Sequence, residues 1–266
     1  MSTLYDLPAG IDVEADGGLR IITLNRPHDL NASTSEMLFA YPKLFRGLAE
    51  DPEARVAILT GAGRAFSAGG DMNHFVKTLD DPQFARAVQE NSRHTIHSFI
   101  DLPIPIIAAV NGPAVGWGAT LATLCDIVLM SEKSFMAEPH VNIGLILGDG
   151  ISVAWPLYMS LLRAKELILT GDRITPQQAV EFGLANRVVA PERLMDEARG
   201  LATKLLAQPQ QALRETKKIL NLTLHRAAAN ILDAHLGRQL AATLSEEHHT
   251  IAAQFIARQK RNQPGR

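Results

Sequence analysis

The feature that most constrains this chain is an apolar strand running straight into a turn almost devoid of side chains, at Leu59 to Met72 (LTGAGRAFSAGGDM). Where side chains are missing, backbone N–H groups become the working parts, and bare donors at a strand end suit an anion or an oxyanion. A second segment of the same kind, Ile106 to Asp126 (IIAAVNGPAVGWGATLATLCD), passes from an apolar strand through Gly112, Gly116 and Gly118 into an apolar helix. Two such units, converging, could hold one carbonyl oxygen between two N–H groups. An enolate or a tetrahedral oxyanion needs that arrangement.

Short apolar runs bounded by glycine, proline and charge predict strands at Gly18 to Leu24, Arg55 to Thr60, Ile104 to Val110 and Ile127 to Met130. Between the first two, Met37, Leu38, Tyr41, Leu44, Phe45 and Leu48 recur at helical intervals within Ser33 to Ala49. This alternation predicts an α/β fold with crossover connections and a site at the strand ends. From about Trp155 helices dominate, at Leu157 to Thr170, Thr175 to Phe182, Pro191 to Ala207, Gln210 to Asn221 and Ser245 to Lys260, with one more strand at Ala185 to Val189. A soft boundary near residue 200 divides a core, 1–200, from a helical C-terminal region, 201–266, of the same functional unit.

With 266 residues, 46% of them hydrophobic, the chain can bury a large core. A formal net charge of −2 argues against nucleic acid or a membrane surface as the main partner, and the one basic cluster, Arg258 to Arg266, is expected to be a solvated terminus. Cys125 is the sole cysteine, so no intrachain disulfide can form. No stretch has the pattern of a signal peptide or an 18-residue apolar span, and the expected location is the cytoplasm.

Two familiar motifs fit poorly. GAGRAF at Gly61 lacks the third glycine and the distal acid of a dinucleotide fingerprint. AFSAG resembles a nucleophile elbow around Ser67, but the partners His140 and Asp149 then come in the wrong order for an α/β-hydrolase. His248 and His249 have no third ligand nearby in sequence, so they are expected to be a solvated helix start, and no metal site is predicted.

Taken together, LNRPHDLNA at Leu24, the FSAGGDM turn, NGPAVGWG, LCDIVLMSEKSFMAEPHVNIGL and LTGDRITPQQAVEFGLANRVV resemble the crotonase superfamily, also called the enoyl-CoA hydratase/isomerase family, over nearly the whole chain. The resemblance implies a crotonase-like spiral of ββα units closed by a C-terminal helical trimerisation region, and a homotrimer or dimer of trimers. It implies a thioester enolate held by two backbone N–H groups, which fall here on Gly70 and Trp117. Glycine is usual at the second position, so the Trp117 side chain is expected to roof the acyl pocket or to join the core. Coenzyme A, as part of the substrate and not as a prosthetic group, would lie near Ala68, Gly70 and Met72. His28 stands where a basic residue is common, and Phe255 with Arg258 match an aromatic and basic pair that reaches a neighbour's coenzyme. Arg26 is expected to be structural.

Hydratases of that family carry two glutamates, one three residues after the second donor and one twenty residues further on. Here those positions are Thr120 and His140. Threonine cannot act as a general base near neutral pH, so the usual addition of water cannot operate unchanged. Imidazole can take the role, and Asp149, nine residues after His140, could fix its tautomer. A neutral histidine base would give an acid limb at about 6 to 7. The pair resembles the one in the β-diketone hydrolases of the superfamily. Glu138 is expected to be an ordinary solvated loop carboxylate, with a substitute acid as the alternative. Three functions follow: an enoyl-CoA hydratase or isomerase with an altered acid/base set, a retro-Claisen hydrolase of a β-diketone or β-ketoacyl substrate, and a non-catalytic CoA-binding homologue.

Overall fold

The computed structural model describes residues 5–147 and 149–262. The chain opens with a hairpin, β1 (Ile11–Asp16) and β2 (Leu19–Leu24), followed by α1 (Ser35–Glu50) and β3 (Val56–Gly61). Next come α2 (Met72–Asp80), α3 (Pro82–Ile100), β4 (Ile106–Val110), β5 (Ala114–Val115), α4 (Trp117–Thr123), β6 (Ile127–Ser131) and β7 (Met136–Ala137). The C-terminal part holds α5 (Ile151–Tyr158), α6 (Leu161–Thr170), β8 (Arg173–Ile174), α7 (Pro176–Phe182), β9 (Arg187–Val189), α8 (Leu194–Leu206), α9 (Gln210–Thr243) and α10 (Glu246–Asn262).

The main sheet runs β1-β2-β3-β4-β6-β9, with only the β1–β2 pair antiparallel. Every residue of β4 is buried, as a parallel strand covered on both faces requires. On one face Leu194, Ala198 and Ala202 of α8 pack against Ile58, Ile107 and Leu129. On the other, α1 and α3 close a larger core in which the Phe45 and Phe99 rings stand 4.3 Å apart. The boundary expected near residue 200 falls inside α8.

Several elements differ from the sequence expectation. β1 buries only Ile11 fully and turns its acids outward, an edge strand with a thin apolar signal. Residues 72–100, where no element is predicted above, form α2 and α3; both are capped by aspartates, Asp71 and Asp81, but carry mostly polar residues. The helix expected from Leu157 to Thr170 is two, because Ser160 breaks out of helical geometry and caps α6 through the Arg163 N–H. α9 continues far beyond Asn221, to Thr243.

A second, smaller sheet positions the site. β5 pairs in parallel with β7, β7 pairs antiparallel with β8, and Ser67 bridges Ala114 in parallel. Three segments thus lie side by side in one direction and leave at the same end: Ser67 toward Gly70, β5 toward Trp117, and β7 toward His140. The backbones approach too closely for side chains between them. A Cβ on Gly118 would stand 2.4 Å from the Ser67 carbonyl oxygen, and one on Gly112 would stand 2.1 Å from that of Arg64.

These contacts predict opposite outcomes for two glycine-to-alanine changes. Gly118→Ala forces the turns apart and should cost about 1–3 kcal/mol or more. Gly200→Ala, in α8 with nothing within 4 Å of its new Cβ, should stabilise by about 0.5–1 kcal/mol. Urea unfolding of the two variants beside the parent checks both signs.

Candidate active site

The first glycine turn is held in place by the loop that precedes α1. Asn31, fully buried with a φ of +56°, accepts from the Arg26 N–H and donates to the Ala62 and Ala65 carbonyls. Its own carbonyl accepts from the Ser67 hydroxyl, which disposes of Ser67 as a nucleophile. Arg26 is structural, bonding the Ala32 carbonyl, Asp29 and the α2 cap Asp71. The sequence signal for Asn31 lay inside LNRPHDLNA, but a single asparagine there does not announce its partners.

The residue before Gly70 abuts Trp117 across this junction. Ser33 donates to Gly69 O and accepts from the Asp71 N–H, so the ladder uses the groups on either side of Gly70 and passes over the Gly70 N–H, which lies on the surface. A Cβ built on Gly69 would stand 3.9 Å from the Trp117 nitrogen. The Trp117 side chain itself points into the core, 7% exposed, with its ring 5.7 Å from that of Tyr41. Of the two roles expected for that indole, this is the core one.

The third segment brings the acid/base groups. His140 sits in a short 3-10 turn (His140–Ile143) after β7, with its ring beside Gly116: a Cβ there would lie 3.6 Å from His140 Cε1. Its Nδ1 and its backbone N–H both face Glu138 Oε1. Glu138 is only 1% exposed, which corrects the expectation of a solvated loop carboxylate. The reason is positional, since Glu138 is the first residue after β7, where the small sheet is covered. Glu138 is therefore the carboxylate seated on His140 Nδ1. Asp149, 5% exposed, completes the cluster, and ligand atoms of Glu138, His140 and Asp149 lie within 4.8 Å of one another. That spacing is close enough to bracket one proton or one cation, a convergence invisible in the sequence spacing.

The charges in this cluster shift one another. Burial alone would push the His140 imidazolium pKa down, but the adjacent Glu138 charge and hydrogen bond, helped by Asp149, bring it up to about 9. Burial and the Glu138 charge push the Asp149 carboxyl well above the usual carboxylate range, opposed by His140 and by the neighbouring Thr120. Thr120 is fully buried on α4, with its hydroxyl directed at the Asp149 carboxyl, whose ionised form it favours.

The remaining expected residues scatter. Ala68 and Met72 flank Gly70, half-buried, with the Ala68 N–H bonded to the Leu30 carbonyl. His28 lies exposed in the 3-10 turn Pro27–Asp29. Phe255 is 36% exposed on α10, and the Arg258 side chain lies outside the described residues. His248 is not a solvated helix start: it is 1% exposed, with Nδ1 2.6 Å from the Ile143 carbonyl and its ring against Phe75. It was missed because its partner is far away in sequence, in the turn that carries His140. A cleft of about 450 Å³ lies elsewhere, between α9 and the β4–β6 region. Its ionised groups, Lys217 and Asp126, bond each other and the backbone of Ile104 and Ile106, a structural pair remote from the cluster. Among the described residues no helix is long and apolar enough to cross a membrane.

Comparisons with known proteins agree with this architecture. Residues 14–262 match the family model described as enoyl-CoA hydratase/isomerase. A solved enoyl-CoA hydratase/isomerase from Mycobacterium paratuberculosis is similar at a TM-score of 0.91 and 45% identity, covering 94% of this chain and 100% of that one. A putative enoyl-CoA hydratase of Thermus thermophilus is 34% identical over 210 residues, 77% of this chain and 81% of the relative. A β-diketone hydrolase from the cyanobacterium Anabaena is also similar, with a TM-score of 0.85 and 26% identity over 92% of this chain and 98% of that one. The chain therefore belongs to the enoyl-CoA hydratase/isomerase family and has the crotonase fold.

Proposed function

We propose that this protein is an enzyme acting on an acyl-CoA, stabilising its enolate between the Gly70 and Trp117 N–H groups and moving protons with the Glu138–His140–Asp149 cluster. The observation that carries the proposal is the buried cluster lying against Gly116, one residue before the second donor. Thr120 replaces a carboxylate, so the cluster must supply both acid and base. His140, paired to Glu138 and protonated up to about 9, serves as the acid. Asp149, with its raised pKa, serves as the base, taking a proton from an α-carbon or from water. This reverses the neutral-histidine base suggested by the residue types alone. The adenine end of the coenzyme would lie along Ala68 and Met72, with His28, Phe255 and Arg258 as further contacts.

A second mechanism, retro-Claisen cleavage of a β-diketone or β-ketoacyl substrate, is supported by the nine-residue spacing of His140 and Asp149 and by the likeness to the Anabaena hydrolase. A screen of crotonyl-CoA, longer enoyl-CoAs, β-ketoacyl-CoAs and cyclic β-diketones, with products identified by mass, separates hydration, isomerisation and cleavage. Tight acyl-CoA binding with no product from any of them would leave a non-catalytic binding protein.

The assembly we propose is a homotrimer or a dimer of trimers. Leu157, Leu161, Leu162, Leu169, Ile219 and Leu220 are all more than a third exposed, and a subunit contact would cover apolar side chains of this kind. Light scattering should give three or six times the 28.9 kDa chain mass, and a monomer at micromolar concentration would contradict the assembly.

The proton assignment predicts a bell-shaped profile of kcat/KM on the true substrate. Activity should rise on the acid side as Asp149 ionises above the usual carboxylate range, and fall as His140 loses its proton near about 9. Glu138→Gln removes the charge that holds the imidazolium, so the alkaline limb should move to lower pH. A profile with one acid limb at about 6 to 7, unchanged in Glu138→Gln, would return the base role to neutral His140.

Replacing His140 by alanine should lower the rate by about 10²- to 10⁴-fold, the range for a positioned acid or base. Near-normal turnover by folded His140→Ala would remove the cluster from the mechanism, leaving the oxyanion donors alone.

A further inference from the structure

α2 buries a single side chain, and it is a histidine: His74, in the first turn of the helix, is 8% exposed. A helix seated through an imidazole and not an apolar residue calls for a polar partner. That partner is Ser35, the first residue of α1, whose hydroxyl shares a hydrogen bond of 3.1 Å with His74 Nδ1. Phe84 of α3 stands edge-on to the imidazole, ring centroids 5.6 Å apart, and carries the Lys77 ammonium 4.1 Å from its own centroid. Burial pushes the imidazolium pKa down to about 4, with Asp71 and Glu36 opposing and Lys77 assisting, so the ring is neutral at physiological pH.

What gives this contact a function is its place beside the first glycine turn. Residues 33–35 hold that turn twice. Through the backbone, the Ser33 N–H donates to the Gly69 carbonyl at 2.8 Å and the Ser33 carbonyl accepts from the Asp71 N–H at 2.9 Å. The peptide is planar and trans, so fixing the Gly69 carbonyl aims the Gly70 N–H the opposite way. Through side chains, Ser35 holds His74, and the His74 ring backs Gly70. A Cβ built on Gly70 would meet His74 Cδ2 at 3.8 Å and, chain neighbours aside, no other atom within 4 Å among the described residues. Asp71 links the two by capping α2 through the Asn73 N–H.

We infer that His74 is a positioning residue for the oxyanion site: bonded to Ser35, it holds the first turn of α2 against α1 and so fixes the direction of the Gly70 N–H. This rests on the acyl-CoA function proposed above and deepens it, assigning the alignment of one donor to a side-chain pair outside the proton-transfer cluster. The Ser33 ladder is two hydrogen bonds along one edge of the turn, about which the α2 end can still pivot. The His74–Ser35 bond lies off that line and stops the pivot. A donor left free to pivot stabilises a developing oxyanion less, while the ground-state ester, which carries little charge, loses almost nothing. Asparagine places its amide where Nδ1 stands and can still bond Ser35, whereas glutamine places its amide where Nε2 stands.

The test reads the enolate directly. Acetoacetyl-CoA ionises to an enolate with its own near-ultraviolet absorbance, and stopped-flow mixing with the full-length protein records it before any turnover. The parent should lower the pH at which the bound ester enolises. His74→Ala and Ser35→Ala should each lose about 3- to 10-fold of that enolate stabilisation, with the double variant no worse than either. His74→Asn should restore it and His74→Gln should not. Butyryl-CoA, which does not enolise at these pH values, should bind every variant alike by calorimetry. Additive losses, rescue by glutamine in place of asparagine, an equal loss of butyryl-CoA binding, or a parent that binds acetoacetyl-CoA without easing its enolisation would overturn the assignment. Amide hydrogen exchange over residues 66–75 of the free protein separates this inference from the acyl-CoA reading. Exchange should quicken in both alanine variants and return to the parental rate in His74→Asn. That pattern in a protein that binds neither ester would uphold the His74–Ser35 tie and overturn the acyl-CoA reading; unchanged exchange in both alanine variants would overturn the tie.

Discussion

The close approach of two backbones, Ser67 O over Gly118 and Arg64 O over Gly112, is the constraint on which the rest of the structure depends. A Cβ at either glycine would collide with a carbonyl, and a carbonyl in a strand-end turn cannot swing aside without breaking its own hydrogen bonds. Ser67 O already accepts from the Val115 N–H. Because the turns are pressed together, the Gly70 and Trp117 segments are brought near each other chiefly by backbone contacts. Asn31 adds the third strut, joining the loop before α1 to both ends of the first turn. The proposed oxyanion site would be preorganised by the same contacts that hold the sheet edges together, so that little reorganisation is needed when charge appears.

That rigid frame has an electrostatic consequence. Two carboxylates and one imidazole are packed behind the second turn, and a buried pair of like charges cannot persist unless something neutral or positive shares the space. His140 supplies one positive charge, held by Glu138, while Asp149 responds by keeping its proton to higher pH than an exposed aspartate. The cluster thus stores a proton next to Gly116 at neutral pH. His235 and His248, both largely buried and both shifted toward the neutral form chiefly by burial, do not add competing positive charge. His248 instead anchors the turn that carries His140, through the Ile143 carbonyl.

Much of the fold was legible because its signals are local. The parallel strands β2, β3, β4 and β6 are continuous apolar runs, and the two glycine turns announce their backbone role by what they lack. β1 and α3 were illegible for the opposite reason: an edge strand with outward acids and a long helix with polar faces carry little periodic contrast. The site divides in the same way. Gly70, Trp117, His140 and Asp149 could be named from motif blocks, and the structure brings them into one neighbourhood. Glu138 could not be weighed correctly, since burial of a loop carboxylate depends on β5, β7 and the covering helices and not on its neighbours in sequence. Thr120 was legible only as a missing base; that its hydroxyl faces a carboxyl is a matter of helix phase.

The contrast between the two kinds of site component explains how such a frame tolerates chemical change. The proposed oxyanion donors are main-chain groups, so a tryptophan can stand at 117 provided its side chain finds room, which it does against Tyr41 in the core. The proposed proton-transfer groups are side chains on the segments just beyond, after β7 and before α5, and each can be exchanged without disturbing the backbone of the two turns. Exchanging a carboxylate for threonine at 120, however, removes one negative charge from a space that still holds two. With glutamates at both 120 and 140 the space would hold four carboxylates and no imidazole, too many to stay charged together; with Thr120 and His140 it balances at one imidazolium against one carboxylate, leaving Asp149 free to gain or lose a proton near neutrality. The hydroxyl at 120 and the histidine at 140 are thus coupled choices, and the proton inventory they leave behind is what distinguishes this site from one built on two glutamates.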